Sequence, residues 1–430
     1  MQFYSLNHSS PKVSFKEAVI KGIAPDKGLY FPERIPKIDK KVFDRIDAYS
    51  NQELAYEMIK EFVGDDIPEN DLKSIIADTL SFDFPLVQIE KEVFSLELFH
   101  GPTMAFKDVG GRFMARCLSY FNKKQTTEVT VLVATSGDTG GAVASGFLGV
   151  KGVNVLILYP SGKVSEVQEK QLTTLGQNIK ALEVDGTFDD CQAMVKTAFL
   201  DTEITDSIQL TSANSINVAR WLPQMFYFAF AFKQLKDKSK KLIFSTPSGN
   251  FGNICAGFMA QQLGLPVNHF IASTNANRVV PNFMTNGIYE PLKSVATISN
   301  AMDVGDPSNF IRIREIFKDN FKKIQKNLSS YSFSDYQTRE AMQEVHTATG
   351  YVMDPHGAVG YLGLKEYLKE QNKAQGIFLE TAHPVKFLDV VEPVIQKRIA
   401  FPPQIEEIMD RKKVADSIST YDELKAFLLK

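Results

Sequence analysis

From residue 93 onward, the chain alternates short β-branched apolar runs with Gly-rich turns and helical stretches. This alternation restricts its fold more than any other feature. Residues 129–134, Val-Thr-Val-Leu-Val-Ala, form an almost unbroken apolar run. That pattern suits a parallel strand buried on both faces, whereas a half-exposed strand would alternate polar and apolar residues. Comparable runs occur at 153–158, 179–184, 207–210, 242–245, 267–272 and 376–379, with helical patterns between most of them. The arrangement predicts an α/β fold: open, mostly parallel twisted sheets flanked by helices. No fixed period marks a solenoid.

Residues 1–88 read as a separate N-terminal α+β unit, and 89–430 as a catalytic core. The N-terminal unit opens with short strand-like pieces and the turn-rich Gly28-Leu29-Tyr30-Phe31-Pro32-Glu33-Arg34-Ile35-Pro36. An amphipathic helix starts at Asn51-Gln52-Glu53-Leu54 and another spans 71–80. Ser81-Phe82-Asp83-Phe84-Pro85 reads as a linker. A length of 430 residues accommodates two or three domains.

Composition narrows the function. A net charge of −3, without basic runs interleaved with aromatics, argues against nucleic acid as a partner. No apolar stretch reaches membrane-spanning length. The 3 cysteines are far apart and form no metal-ligand spacing, so no metal site is expected and a reducing compartment is. The N-terminus lacks a basic stretch followed by an apolar one, as a signal peptide would have. The expected location is the cytoplasm.

Three loops at strand ends carry chemistry, as ligand sites in open α/β sheets do. Thr135-Ser136-Gly137-Asp138-Thr139-Gly140-Gly141 follows the strand at 129–134. Its small residues, hydroxyls and helix-start amides suit an anion; the plain alternative is a strand-to-helix turn capped by Asp138 or Thr139. Ser248-Gly249-Asn250-Phe251-Gly252-Asn253 follows the strand at 242–245 and suits a phosphate bound by backbone amides, or is a simple turn. It is neither a Walker loop nor a dinucleotide turn. Thr211-Ser212-Ala213-Asn214-Ser215-Ile216-Asn217 leads to Arg220, whose guanidinium can reach back to an oxyanion or be solvated. A fourth segment, Gly101-Pro102-Thr103-Met104-Ala105-Phe106-Lys107-Asp108, sets one lysine among apolar neighbours at the start of a helix expected over 108–121. Desolvation and the positive end of the helix dipole both depress the basicity of such an amine and free it for imine chemistry. Two anion cups plus this lysine point to a phosphorylated aldehyde cofactor, pyridoxal 5′-phosphate, and to an anionic substrate.

These segments, with Thr381-Ala382-His383-Pro384, occur in the same order in threonine synthases, which this chain resembles over essentially its whole length. That family belongs to the tryptophan-synthase-β-like pyridoxal phosphate enzymes of fold type II. The chain is most similar to the longer subgroup, with Asp at position 138 where relatives carry Asn. The resemblance implies conversion of O-phospho-L-homoserine and water to L-threonine and phosphate by a monomer or homodimer. It implies a smaller mobile subdomain at about 110–235, and a larger cofactor-binding subdomain from 89–109 and 236–430. By the same resemblance, Lys107 is the Schiff-base and proton-shuttling residue. Gly249, Asn250, Phe251, Gly252 and Asn253 hold the cofactor phosphate, Thr381 meets the pyridine nitrogen, and Asp138 meets the cofactor ring. Thr135, Ser136 and Thr139 face the substrate carboxylate, and Asn214, Ser215, Asn217 and Arg220 its phosphate. The competing reading is a serine/threonine dehydratase-like β-eliminating lyase. Such an enzyme has no second phosphate for Arg220 to bind.

Overall fold

The β-branched runs become strands whose order in the sheets gathers the Gly-rich loops. The computed structural model describes residues 1–123, 128–371 and 373–430. At the N-terminus, β1 (Gln2–Ser5), β2 (Val13–Ser14) and β3 (Tyr30–Pro32) form an antiparallel sheet in the order β2-β1-β3. The remaining strands are β4 (Leu86–Glu90), β5 (Val93–Glu97), β6 (Val129–Ala134), β7 (Val153–Pro160), β8 (Ile179–Val184), β9 (Gln209–Ser212), β10 (Lys241–Pro247), β11 (His269–Thr274), β12 (Leu328–Ser332), β13 (Ala374–Glu380) and β14 (Asp416–Ile418). The larger sheet runs β12-β11-β10-β13-β5-β4, parallel apart from the edge strand β4. The smaller sheet, β14-β8-β7-β6-β9, is parallel throughout. Every residue of β11 and β13 is buried, which explains their lack of polar alternation. Among the described residues, no helix is long and apolar enough to cross a membrane.

Four features depart from the expectations drawn from the sequence. The strand expected at 207–210 begins only at Gln209, because Asp201 caps a short helix, Thr202–Ser207, by accepting from Glu203 N at 3.0 Å. The segment 81–85 is no free linker: Phe84 is buried, its ring 5.7 Å from that of Tyr227 and 5.3 Å from that of Phe230. The N-terminal unit is not self-contained either, since Val19 O accepts from Thr211 Oγ1 (3.2 Å) and Asn217 Nδ2 (2.9 Å) of the third loop. Finally, the C-terminal segment, grouped by the sequence with the larger subdomain, returns to the smaller sheet. There β14 pairs with β8, and Lys413 bridges Glu169 and Glu183 at 2.7 Å each. Hydrophobic burial drives this return: Ile418 and Leu424 pack with Leu182 and Val184.

The helix expected over 108–121 spans Lys107–Asn122. Its glycines let it approach two neighbours closely. A Cβ on Gly110 would lie 2.5 Å from Arg220 O, and one on Gly111 2.6 Å from Ala142 O. The helix start is thereby set against Val218–Trp221 and Asp138–Phe147, which follow β9 and β6.

Candidate active site

Lys107 is placed by backbone pairing. Ala105 bridges Ala382, Phe106 N donates to Thr381 O at 2.8 Å, and His383 N donates to Met104 O at 3.1 Å. The segment before Lys107 is thus pinned to the residues that follow β13. Tyr227 donates its hydroxyl to Phe106 O, and the buried Asp108 accepts from Thr103 N at 2.9 Å, closing the Gly101-Pro102-Thr103 turn. The Lys107 amine is lowered to about 8, chiefly by desolvation. Asp138 opposes the shift, while Arg220 and Lys386 add to it as nearby cations.

The loop after β10 leads into the helix Gly252–Leu263, whose N-cap residue Phe251 offers no side-chain cap, although Asn253 Oδ1 accepts from Ile254 N at 2.8 Å. Phe251 stands in the left-handed conformation, φ 60°, and turns the chain so that the first helical amides open outward. A Cβ on Gly249 would lie 2.7 Å from Ala301 O, so only glycine fits there. Asn250 Oδ1 accepts from Ser308 N at 2.6 Å, and Asn253 Nδ2 donates to Pro247 O at 2.8 Å; both shape the loop.

The third loop joins this cup. Ser215 Oγ accepts from Asn250 Nδ2 (3.0 Å) and Asn309 Nδ2 (3.1 Å), which leaves its own proton to donate. Asn214 reaches across to Ala134 O at 3.4 Å, and its Oδ1 is buried without a partner. Arg220 is buried, donates through Nη1 to Ala213 O at 2.6 Å, and keeps an unpartnered Nε. Asn217 is not brought to the site. Its amide donates to Val19 O and Ser212 O and its oxygen caps the helix at Ala219 N, so all its capacity serves the fold.

In the first loop, Gly137 has φ 133°, and a Cβ there would fall 2.4 Å from the Gln168 side chain. Thr135 Oγ1 accepts from Gly137 N (2.9 Å) and Gly140 N (2.8 Å), so its oxygen holds the loop together. Ser136 and Thr139 are half-buried, at the start of Asp138–Phe147, whose N-cap residue Gly137 has no side chain to cap it. Asp138 does not cap the helix. Its carboxylate meets Lys386 Nζ at 2.6 Å and Gln168 Nε2 at 2.9 Å, and is held near 2 against the opposing effect of its burial.

Lys386, Gln168, Asn309 and Arg312 were not singled out by the sequence. Lys386 did leave a trace there, as a lone charge between Val385 and Phe387 close behind the Thr381 motif. Arg312 left none, since one arginine on an amphipathic helix reads as solvated.

The donor set fits pyridoxal phosphate. A weakly basic amine suits its aldehyde, the Gly-rich turn into the helix Gly252–Leu263 suits its phosphate, and the buried Thr381 hydroxyl suits its ring nitrogen.

Comparison with known proteins gives the same outcome. Residues 2–80 match the family model "Threonine synthase N terminus", 83–378 "Pyridoxal-phosphate dependent enzyme" and 357–428 "Threonine synthase, C-terminal". The threonine synthase of Buchnera aphidicola subsp. Acyrthosiphon pisum is 43% identical over 100% of both chains. The crystal structure of threonine synthase from Escherichia coli is 40% identical, with a TM-score of 0.94 over 100% of this chain and 99% of that one. The PLP-bound threonine synthase from Brucella melitensis is 32% identical, with a TM-score of 0.94 over the same shares. The chain belongs to the threonine synthase family of pyridoxal-phosphate dependent enzymes.

Proposed function

We propose that the protein converts O-phospho-L-homoserine and water to L-threonine and phosphate, using pyridoxal 5′-phosphate held through Lys107. One observation carries this reading: a weakly basic lysine stands near Asp138 of the first loop and Arg220 beyond the third, and two of the three loops open into helices whose N-cap residues, Gly137 and Phe251, supply no side-chain cap. When bound, the cofactor supplies an electron sink for negative charge at the substrate's Cα and Cβ. The chain's residues do the rest. Lys107 would take and return protons at the substrate's Cα and Cβ; its lowered basicity leaves a useful neutral fraction near neutral pH. Ser136 and Thr139, with the amides that open Asp138–Phe147, suit the substrate carboxylate. Gly249 to Asn253 suit the cofactor phosphate. Ser215, Asn214 and Arg220 suit the departing phosphate, Ser215 through its free hydroxyl proton and Arg220 through its charge and unpartnered Nε.

The same reading divides the chain into a unit of residues 1–88, a smaller mobile subdomain of about 110–235 joined by the C-terminal strand, and a larger cofactor-binding remainder. The three cysteines are free and buried, in keeping with a cytoplasmic location.

Two measurements test the proposal. Borohydride reduction with peptide mapping should place a pyridoxyl group on Lys107. Assay with O-phosphohomoserine should yield threonine and phosphate; dominant release of 2-oxobutanoate from threonine would replace this reading with a dehydratase.

A further inference from the structure

Position 138 poses a charge problem. A buried carboxylate stands at the start of a helix packed against the one that begins at Lys107. The structure supplies its partner from the opposite side of the site. Lys386 Nζ lies 2.6 Å from Asp138 Oδ1, with side-chain exposures of 0% and 4%. Among the described residues, no other lysine–carboxylate pair is buried so fully. Lys386 also donates to Thr103 O at 3.0 Å, in the turn that leads to Lys107. Gln168 donates to the same Asp138 oxygen at 2.9 Å. Removing either charge would leave the other without its counter-ion inside the protein, an arrangement that buried sites rarely tolerate.

We propose that Lys386 is a positioning residue, and that Asp138 and Lys386 act as one ion-paired unit setting the charge that faces the Lys107 amine. The unit explains how a carboxylate is accommodated at position 138: its charge is cancelled by a neighbour fixed on the turn Pro384–Phe387. The charged and titratable groups around Lys107 are Asp138, Lys386, Arg220 and its neighbour Asp108, with Tyr227 beside the last two. Of these, Asp138 favours the protonated amine, whereas Lys386 and Arg220 disfavour it. Losing Lys386 alone exposes Lys107 to an uncancelled anion and must raise its proton affinity. Losing both charges together must restore it. This inference rests on Lys107 being the cofactor lysine.

The test is competitive labelling of the cofactor-free protein with acetic anhydride across a pH series, with Lys107 followed by peptide mapping. In Lys386→Met, the labelling midpoint of Lys107 should rise by about one pH unit. In Lys386→Met/Asp138→Asn it should return to within a few tenths of wild type, and Lys386→Arg should keep it there. A role confined to packing would leave the midpoint unmoved. An unchanged midpoint in Lys386→Met, or a double variant shifted as far as the single one, overturns the proposal. If Lys386→Met does not fold, the double variant decides. Regained folding with a wild-type midpoint supports the unit, and failure to fold overturns it. These outcomes are separable from the proposed reaction, which stands or falls with borohydride trapping at Lys107 in the wild type.

Discussion

Arg312 donates a 2.6 Å hydrogen bond from Nη2 to the backbone oxygen of Ile216, inside the loop that carries Ser215. The same guanidinium donates to Ser215 O at 3.2 Å, to Asn309 Oδ1 at 2.6 Å and to Tyr30 O at 3.0 Å. It is fully buried, stacks 4.2 Å from Trp221, and has no carboxylate partner among the described residues. A bonding chain thus runs from a buried cation through Asn309 to Ser215 Oγ and on to the anion cup. It also ties the N-terminal unit, through Tyr30, to the site.

Arg312→Met should therefore lower stability by about 2–4 kcal/mol, since several buried carbonyls lose their donor. It should also weaken binding of the substrate phosphate by displacing Ser215. Lys at this position should rescue little, because a point charge cannot serve four acceptors in a fork. Urea unfolding of the cofactor-free protein, alongside the KM for O-phosphohomoserine, checks both. A variant as stable as wild type would remove Arg312 from this role.

Lys107 makes a signed prediction about stability. Its folded-state value is lowered to about 8, below that of an unfolded lysine. The unfolded chain therefore binds more protons between pH 8 and about pH 10.5, and stability rises with pH across that window. The cost of the buried charge is fully present below pH 8. Lys107→Met should stabilise the cofactor-free protein at pH 7 by about 2 kcal/mol, a figure discounted for the residue's partial solvent access. The difference should vanish by about pH 10.5. Paired chemical denaturation series at stepped pH would measure it.

The same substitution should abolish turnover, with a loss of at least about a thousandfold, because no other side chain takes its protons in this reading. Stopped assays for phosphate release are sensitive enough to find a surviving rate, and one within tenfold of wild type would contradict the assignment.

Gly137→Ala should cost about 1–3 kcal/mol. Its φ of 133° excludes a comfortable side chain, and the new Cβ would strike Gln168, which braces Asp138. Cofactor affinity should fall alongside the melting temperature. A change in melting temperature alone would show that the loop relaxes without disturbing Asp138.

Leu424→Ala should cost about 2–4 kcal/mol, although position 424 lies far along the chain from the loops of the site. Leu424 is fully buried in the apolar cluster under the smaller sheet. If thermal unfolding is unchanged, the tail does not support that sheet.

The strands at 129–134 and 179–184, and the Gly-rich loops behind them, were legible because each signal is local. Burial on both faces demands continuous apolarity, and a helix start that receives an anion demands small residues and hydroxyls. The bonds of Asn217 were not legible for the opposite reason. Its motif marks the loop correctly, but only the docked helix Phe15–Lys21, with Val19 O at 2.9 Å, shows that the amide is used up by the fold. Asp138 and Lys386 belong together for a reason that no spacing encodes, since the turn Pro384–Phe387 must first fold against the start of another helix.

The sequence by itself determined the class of fold and the positions of the Gly-rich loops at the strand ends, because backbone conformation and hydrophobic periodicity are properties of neighbouring residues. Only the tertiary structure decided which charges face one another. It paired Asp138 with Lys386, left Arg312 without an acid among the described residues, set Ser215 against Asn250, and carried the C-terminal strand back to the smaller sheet. Such pairings depend on distance through space and on the exclusion of water, and both arise only once the sheets and helices have packed.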